Sequence, residues 1–578
     1  EEAMNLLLDA KDLLSDAVGP NHVEYANCVH SIGRMHFFAK ELSMAKECFQ
    51  TSLTVRQQHL SHTDLELADS LHSLGACLLE LGQLGAAQSC LQDALKIRRS
   101  SAGRDDEDVG DTCRCLALVE FKLGKRASAM ENFEEAIRIG MHSLSKSGKL
   151  LSEEDYTNLA ACFDAAITMA KNNDDIPEKL GKLYHQQGSL QSTNHLYRKA
   201  MTSFTEAIQY YKMVYGDEHL SVSNALFNVG VCLKEIGDTD RAMKCLTRAL
   251  HITKQQLGDD HTDVADTLQQ MSQVYSMKGD IRGALKMCEQ ALQIRRYRED
   301  LALASLLDFT GDLCSMCKDG EEAERSFREC VRIRRKVHGD DHLDVSLALF
   351  SLGRVYETFR RDYKRSLRCY EEALRIRKVL QDDDSIESAR GYLHLGNVHA
   401  LLQNDKKATF CFHEATQICI RSKNPKHEVV EDAIVGQGQA LVSQGKYQEA
   451  LDQCYARARA LRIERDGGKQ ESADIANIQV LEAEALERLG RKDEALQLLL
   501  STLDMYKITV GIEHLGTAAC LHRLAEVYFE LNEGDEALSY AQQALKIRKN
   551  LLSKNDQAVG DSYFVIAKVF LSRRDLDT

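Results

Sequence analysis

Apolar side chains recur along this chain at offsets of three and four, the mark of one-faced helices. A longer period lies over the short one. Alanine returns about every 42 residues, at Ala3, Ala45, Ala87, Ala129, Ala200, Ala242, Ala284, Ala323, Ala408, Ala450, Ala495 and Ala537, and Ser366 takes the vacant slot. A small residue at a fixed long period marks a place where two helices touch closely, copied from unit to unit. The pattern predicts an all-α chain, a right-handed superhelical solenoid of helix-turn-helix repeats.

Each unit carries a second small site twelve positions earlier: Gly33, Gly75, Ala117, Gly188, Gly230, Ser272, Gly311, Gly396, Gly438, Ala483 and Ala525, with Gly353 one residue further away. Apolar residues four before and three after it, such as Leu226 and Leu233, share one helical face. After the periodic alanine, a large residue at +4 and a small one at +7 (Phe204 and Ala207, Tyr370 and Ala373) predict knob-and-gap packing on the next hairpin. Cys288 and Cys454 align with Phe204 and Phe327 in this scheme, and Cys330 with Ala291. Glycines in ELGQ (80–83), EIGD (235–238), MKGD (277–280), SQGK (443–446) and RLGR (488–491) predict the turns inside the hairpins.

The array has an irregularity. From Ala129 to Ala200 the interval is 71 residues, and 153–171 within it reads as one extra helix. NNDD before Pro177 reads as a turn into the next helix, and a bend or break in the solenoid is expected here. The expected organisation is repeats over 1–139, an irregular insertion over 140–180, repeats over 181–556, and a truncated first helix over 557–578. The chain starts without methionine, in a segment resembling a second helix, so a fragment of a longer protein is expected.

With 578 residues the chain exceeds a single compact core, a limit that repeats avoid. The 88 acidic and 73 basic side chains leave a net charge of −15, which argues against a broad nucleic-acid surface. The 18 cysteines fall singly on apolar stripes and read as buried hydrophobes in a reducing, cytoplasmic compartment. No apolar run has the length of a membrane span, so no membrane insertion is expected.

The small and aromatic slots, in this order, resemble the tetratricopeptide repeat. The long period most resembles the repeats of kinesin light chain, carried best by residues 249–296 and 330–357. By that resemblance, positions −6, −3, −2 and +1 around the first small site face a concave groove. They supply the candidate peptide-binding residues Asn27, His30, Ser31, Arg34, Asp69, His72, Ser73, Lys182, His185, Gln186, Asn224, Asn228, Gln269, Gln270 and Gln273. Later units add Arg354, Arg390, His394, Asn397, His522 and Arg523. Such side chains can hydrogen-bond a peptide backbone, and the bland alternative is the solvated side of each helix. A carboxylate clamp of the chaperone-binding type is not expected, because Lys182 and Asn228 stand beside Gln186, Asp266 and Gln270. Nor is recognition of tryptophan-acidic cargo peptides, since only Asn228 remains of the family's paired asparagines.

Other motifs read as structural. G-x-x-H recurs at Gly19–His22, Gly216–His219, Gly258–His261, Gly339–His342 and Gly511–His514. Successive repeats stand about 10 Å apart, too far for one zinc with ligands about 2.1 Å away, so these histidines are expected to cap helices. Basic groups at Arg98–Arg99, Arg295–Arg296, Arg334–Arg335–Lys336, Arg377–Lys378 and Arg548–Lys549 oppose helix C-termini, or form a basic stripe for acidic partners. Cys314 and Cys317 lack the second pair of a zinc site. No nucleotide loop or hydrolase motif occurs, and no metal or cofactor is expected.

The expectation is a non-catalytic scaffold or adaptor gripping peptides or helices of other proteins, with cargo-adaptor work and motor or cytoskeletal partners implied by the resemblance. The alternatives are the sensor portion of a larger switch protein and an architectural subunit of an assembly.

Overall fold

A computed structural model describes residues 2–147, 151–171, 177–380, 382–553 and 556–573. Among them the chain is all-α, with helices in successive antiparallel pairs and no strand. It divides into two compact units, Glu1–Ile294 and Arg295–Thr578.

The first unit opens with helix Glu2–Ala17 and three hairpins, the first built from Val23–Phe38 and Leu42–His59. Helix Glu153–Lys171 follows, matching the extra helix expected at 153–171, and the next helix starts at Pro177. The expected turn at NNDD lies outside the described residues. Among the described residues, packing continues through the extra helix. One apolar core runs from Ala45 to Ile252 and includes Leu159, Phe163 and Ile167. Three further hairpins complete the unit. The second unit holds six hairpins and helix Gln557–Arg573.

The two small sites have a steric cause. A Cβ on Gly188 would lie 2.8 Å from the Phe204 ring, and one on Gly353 2.6 Å from Tyr370. The periodic alanines are fully buried from Ala45 to Ala537, and Ser366 is buried with its hydroxyl donating to Gly353 O at 2.9 Å. The turn inside each hairpin needs a left-handed residue five before the alanine. Gly82 supplies it at φ 73°, while Lys40, His195, Lys318 and Gln403 adopt it at 58–64° at the cost a side chain brings there.

One unit departs from the alignment made on sequence. Residues Ala450–Tyr455 form a π-helical turn, which absorbs one extra residue. Tyr455 therefore takes the aromatic slot, 2.7 Å from a Cβ on Gly438, and Cys454 aligns with Cys369 rather than with Phe327. The match is visible as SLRCY (366–370) against ALDQCY (450–455).

The cysteines are all free, and only Cys317 is exposed. Burial pushes the Cys330 thiol up to about 12 and Cys113 to about 11, the behaviour of packing residues rather than nucleophiles.

Candidate peptide-binding faces

The first helices of successive hairpins bring several predicted residues together in the first unit. His30, Arg34, Asp69, His72 and Ser73 line a concavity of about 370 Å³, whose floor includes Phe49. Helix Glu153–Lys171 contributes Glu154 to it, a residue not foreseen. A second concavity of about 430 Å³ gathers Asn224, Phe227, Asp266, Gln269 and Gln270. Asn224 is exposed, whereas Gln270 and Gln273 are half-buried and accept from the buried Lys234 amine at 2.9 and 2.5 Å. That amine orients both side-chain carbonyls and leaves their N–H groups to donate.

The histidines at position −3 pack rather than project. The His30 ring lies 5.2 Å from Phe49, and His185 lies at the same distance from Phe204. Burial, then Arg56, holds His30 down to about 4; burial, then Arg98 and Arg114, holds His72 at about 3. His185 is lowered by burial as well, and its Nε2 meets Asn228 Nδ2 at 3.3 Å. All three rings are neutral at pH 7 and offer hydrogen bonds without charge.

Lys182 is exposed and paired with Glu178 at 2.5 Å, and Gln186 stands beside it on a third concave patch. In the second unit Arg354 meets Asp312 at 3.3 Å, and Arg390 bridges Glu387 and Glu428 at 3.1 and 3.2 Å. His394 stacks on Tyr370 with centroids 5.5 Å apart and lies 3.4 Å from Glu357, with Asn397 half-buried on the same helix. Arg523 is held between Glu484 and Glu526, and burial, then Arg548, lowers His522 to about 4.

Asn27 is half-buried, and its Oδ1 accepts from Arg56 of the same hairpin at 3.2 and 2.7 Å. Arg98, Arg295, Arg377 and Arg548 are buried, whereas the adjacent Arg99, Arg296, Lys378 and Lys549 are exposed. Arg98 Nη1 donates to Asp108 O and Thr112 Oγ1, ten and fourteen residues ahead, tying its helix to the next first helix. Arg56 repeats this with Glu66 O and Ser70, and Arg548 with Ala558 O and Ser562. In another unit Tyr506 replaces the arginine and donates to Asn477, 29 residues back, as Arg56 does to Asn27.

The loop histidines cap helices as expected. Nδ1 of His22, His219, His261, His342 and His514 accepts from the backbone N–H two residues on, at 3.0–3.2 Å. His427 does the same without the preceding glycine motif.

Tetratricopeptide repeat family models match residues 66–141, 179–255, 244–296, 303–379 and 474–577, and a second such model matches 435–507. No curated protein sequence matches the chain. Among solved structures, BtubC (BKLC) from P. vanneervenii is 20% identical, with 43% of this chain and 93% of its own covered and a TM-score of 0.34. The nearly identical TPR-like repeats of a candidate kinesin light chain from Podosopora anserina are 16% identical, covering 36% and 99%, with a TM-score of 0.32. The apo form of RapI is 16% identical, covering 64% and 98%, with a TM-score of 0.49. Among the described residues, no helix is long and apolar enough to cross a membrane.

Proposed function

Because the chain belongs to the tetratricopeptide repeat family, a family of protein-interaction scaffolds, we propose that it is a non-catalytic adaptor holding an extended or helical segment of another protein against its first helices. The reading rests on the concavity that gathers Asn224, Gln269 and Gln270 from two successive first helices. Amide side chains spaced along a helix pair suit a peptide backbone, whose N–H and C=O groups need partners when water is removed. Phe227 in the same wall adds an apolar contact. Affinity would then come from many modest contacts.

The buried free thiols fit a reducing, cytoplasmic compartment. The resemblance of residues 249–296 to kinesin light chain favours cargo-adaptor work beside motor or cytoskeletal components.

The test is affinity capture from cell lysate, comparing the wild-type chain with the triple variant Asn224→Ala, Gln269→Ala, Gln270→Ala. Partners lost from the variant, with unchanged helicity, support the proposal. Partners retained in full place binding elsewhere and favour an architectural subunit.

A further inference from the structure

The turn between helices Gly320–His338 and Leu343–Thr358 sets three metal-binding groups side by side. His338 ends the first helix, His342 is the N-cap of the second, and Asp344 lies in its first turn. One ligand atom from each lies within 4.8 Å of the others. His338 Nε2 is 3.4 Å and His342 Nδ1 3.7 Å from Asp344 Oδ2. Ligands about 2.1 Å from one tetrahedral ion stand about 3.4 Å apart, so both separations approach a coordination edge. His338 Nε2 is also buried without a hydrogen-bond partner, an atom that packing alone leaves unsatisfied.

The sister turns separate packing from chemistry. The His338 and His342 rings stack at 4.0 Å, and Tyr215 stacks on His219 in the same way at 4.2 Å. The stack is therefore a packing feature of the turn. The residue before the glycine is Val18, Tyr215, Leu257 or Val510 in the other four G-x-x-H turns, and only here is it a histidine. Only here, among the described residues, do three such groups converge.

We propose that His338, His342 and Asp344 bind one divalent transition-metal ion of the zinc class, which clips the end of one repeat to the start of the next. Two imidazoles and a carboxylate suit zinc, cobalt or nickel, whereas magnesium and calcium prefer all-oxygen sets. Asp340 and Asp341 are already paired with Arg335 and Arg375, which leaves Asp344 as the ligating carboxylate. The half-buried setting leaves room for a water ligand. The rings, now 8° from parallel, must fan open for both nitrogens to face one ion. If His342 ligates through Nδ1, it gives up its capping bond from Asp344 N.

Titration of the full chain with Co²⁺ tests the site, comparing the wild type with His338→Tyr and His342→Asn. Tyrosine reproduces the stack of the sister turn, and asparagine keeps an N-cap. Absorption separates nitrogen–oxygen coordination, which gives ligand-field bands alone, from cysteine binding, which adds thiolate charge transfer. The wild type should bind one more equivalent without a thiolate band, displaceable by Zn²⁺. Each variant should lose at least the roughly tenfold in affinity that even an outer-shell partner costs. Equal uptake and equal spectra in all three proteins would overturn the proposal, as would a thiolate band accounting for all bound cobalt.

Discussion

Arg98 Nη2 donates to Asp69 Oδ1 at 2.6 Å, joining the last turn of a second helix to the first helix of its own hairpin, 29 residues back. The same guanidinium reaches forward to Thr112, so one buried cation holds three helices in register. Replacing Arg98 by methionine leaves Asp69, Thr112 and the Asp108 carbonyl without this partner. Because Asp69 is half-exposed and regains water, the expected cost is about 2–3 kcal/mol rather than that of a fully buried pair. Hydrogen exchange over 65–122 reads it as a matching loss of protection, and unchanged exchange would contradict the role. Asp69→Asn should be mild, since Asn27 already fills the equivalent place opposite Arg56.

The buried histidines predict acid sensitivity in the N-terminal hairpins. His30 faces Arg56, Asp69 and Arg34, and His72 faces Arg98 and Arg114. Their folded values, about 4 and about 3, lie below the ordinary 6.5, so the unfolded chain takes the proton first. Their contribution to stability is complete above pH 6.5 and is lost as pH falls toward 4, by up to about 1.4 kcal/mol per pH unit for each ring. Carboxylates also titrate in that range, so the decisive comparison is between proteins. A His30→Gln, His72→Gln variant should show a shallower fall in unfolding midpoint from pH 7 to 4.5. An identical slope would refute this cause.

Lys318 occupies a left-handed turn position at φ 62° and is exposed. Lys318→Gly removes that strain, offset in part by the freer unfolded chain. A net gain of about 0.5–1 kcal/mol is expected in denaturant melts. Gly82→Ala, with φ 73° in the equivalent turn, should lose a similar amount.

The π-helical turn predicts that a deletion is tolerated. Removing the exposed Gln453 would convert ALDQCY into a match for SLRCY and let the helix run as regular α. The Gln453 deletion should fold with an unfolding midpoint equal to or above that of the wild type. Loss of folding would show that the extra residue is required.

Much of this architecture was legible in the sequence because its packing is local and repeated. The alanine slot, the small residue beneath each large ring, the extra helix at 153–171 and the histidine caps all follow from spacing. The buried arginines were not, because apolar periodicity gives no sign of a charged side chain that is buried through its own hydrogen bonds. Their signal was a different spacing, Arg followed by Ser or Thr fourteen residues on. The shifted register at Cys454 was hidden because an α-helical count has no place for an added residue. The candidate groove residues were named by position, and position alone does not separate the exposed Asn224 from the half-buried Asn27, held by Arg56. Comparing loop histidines between repeats also hid the group formed within one turn by His338, His342 and Asp344.

The central claim is that partners dock on the first-helix face, and site-specific photocrosslinking tests it most directly. A photoreactive residue placed at Asn224, in the concavity, is compared with one at Thr247, exposed on helix Thr239–Leu257. Crosslinks to captured protein from position 224 and none from 247 are the predicted result. Crosslinks from 247 alone would contradict the account and move the docking surface to the second helices.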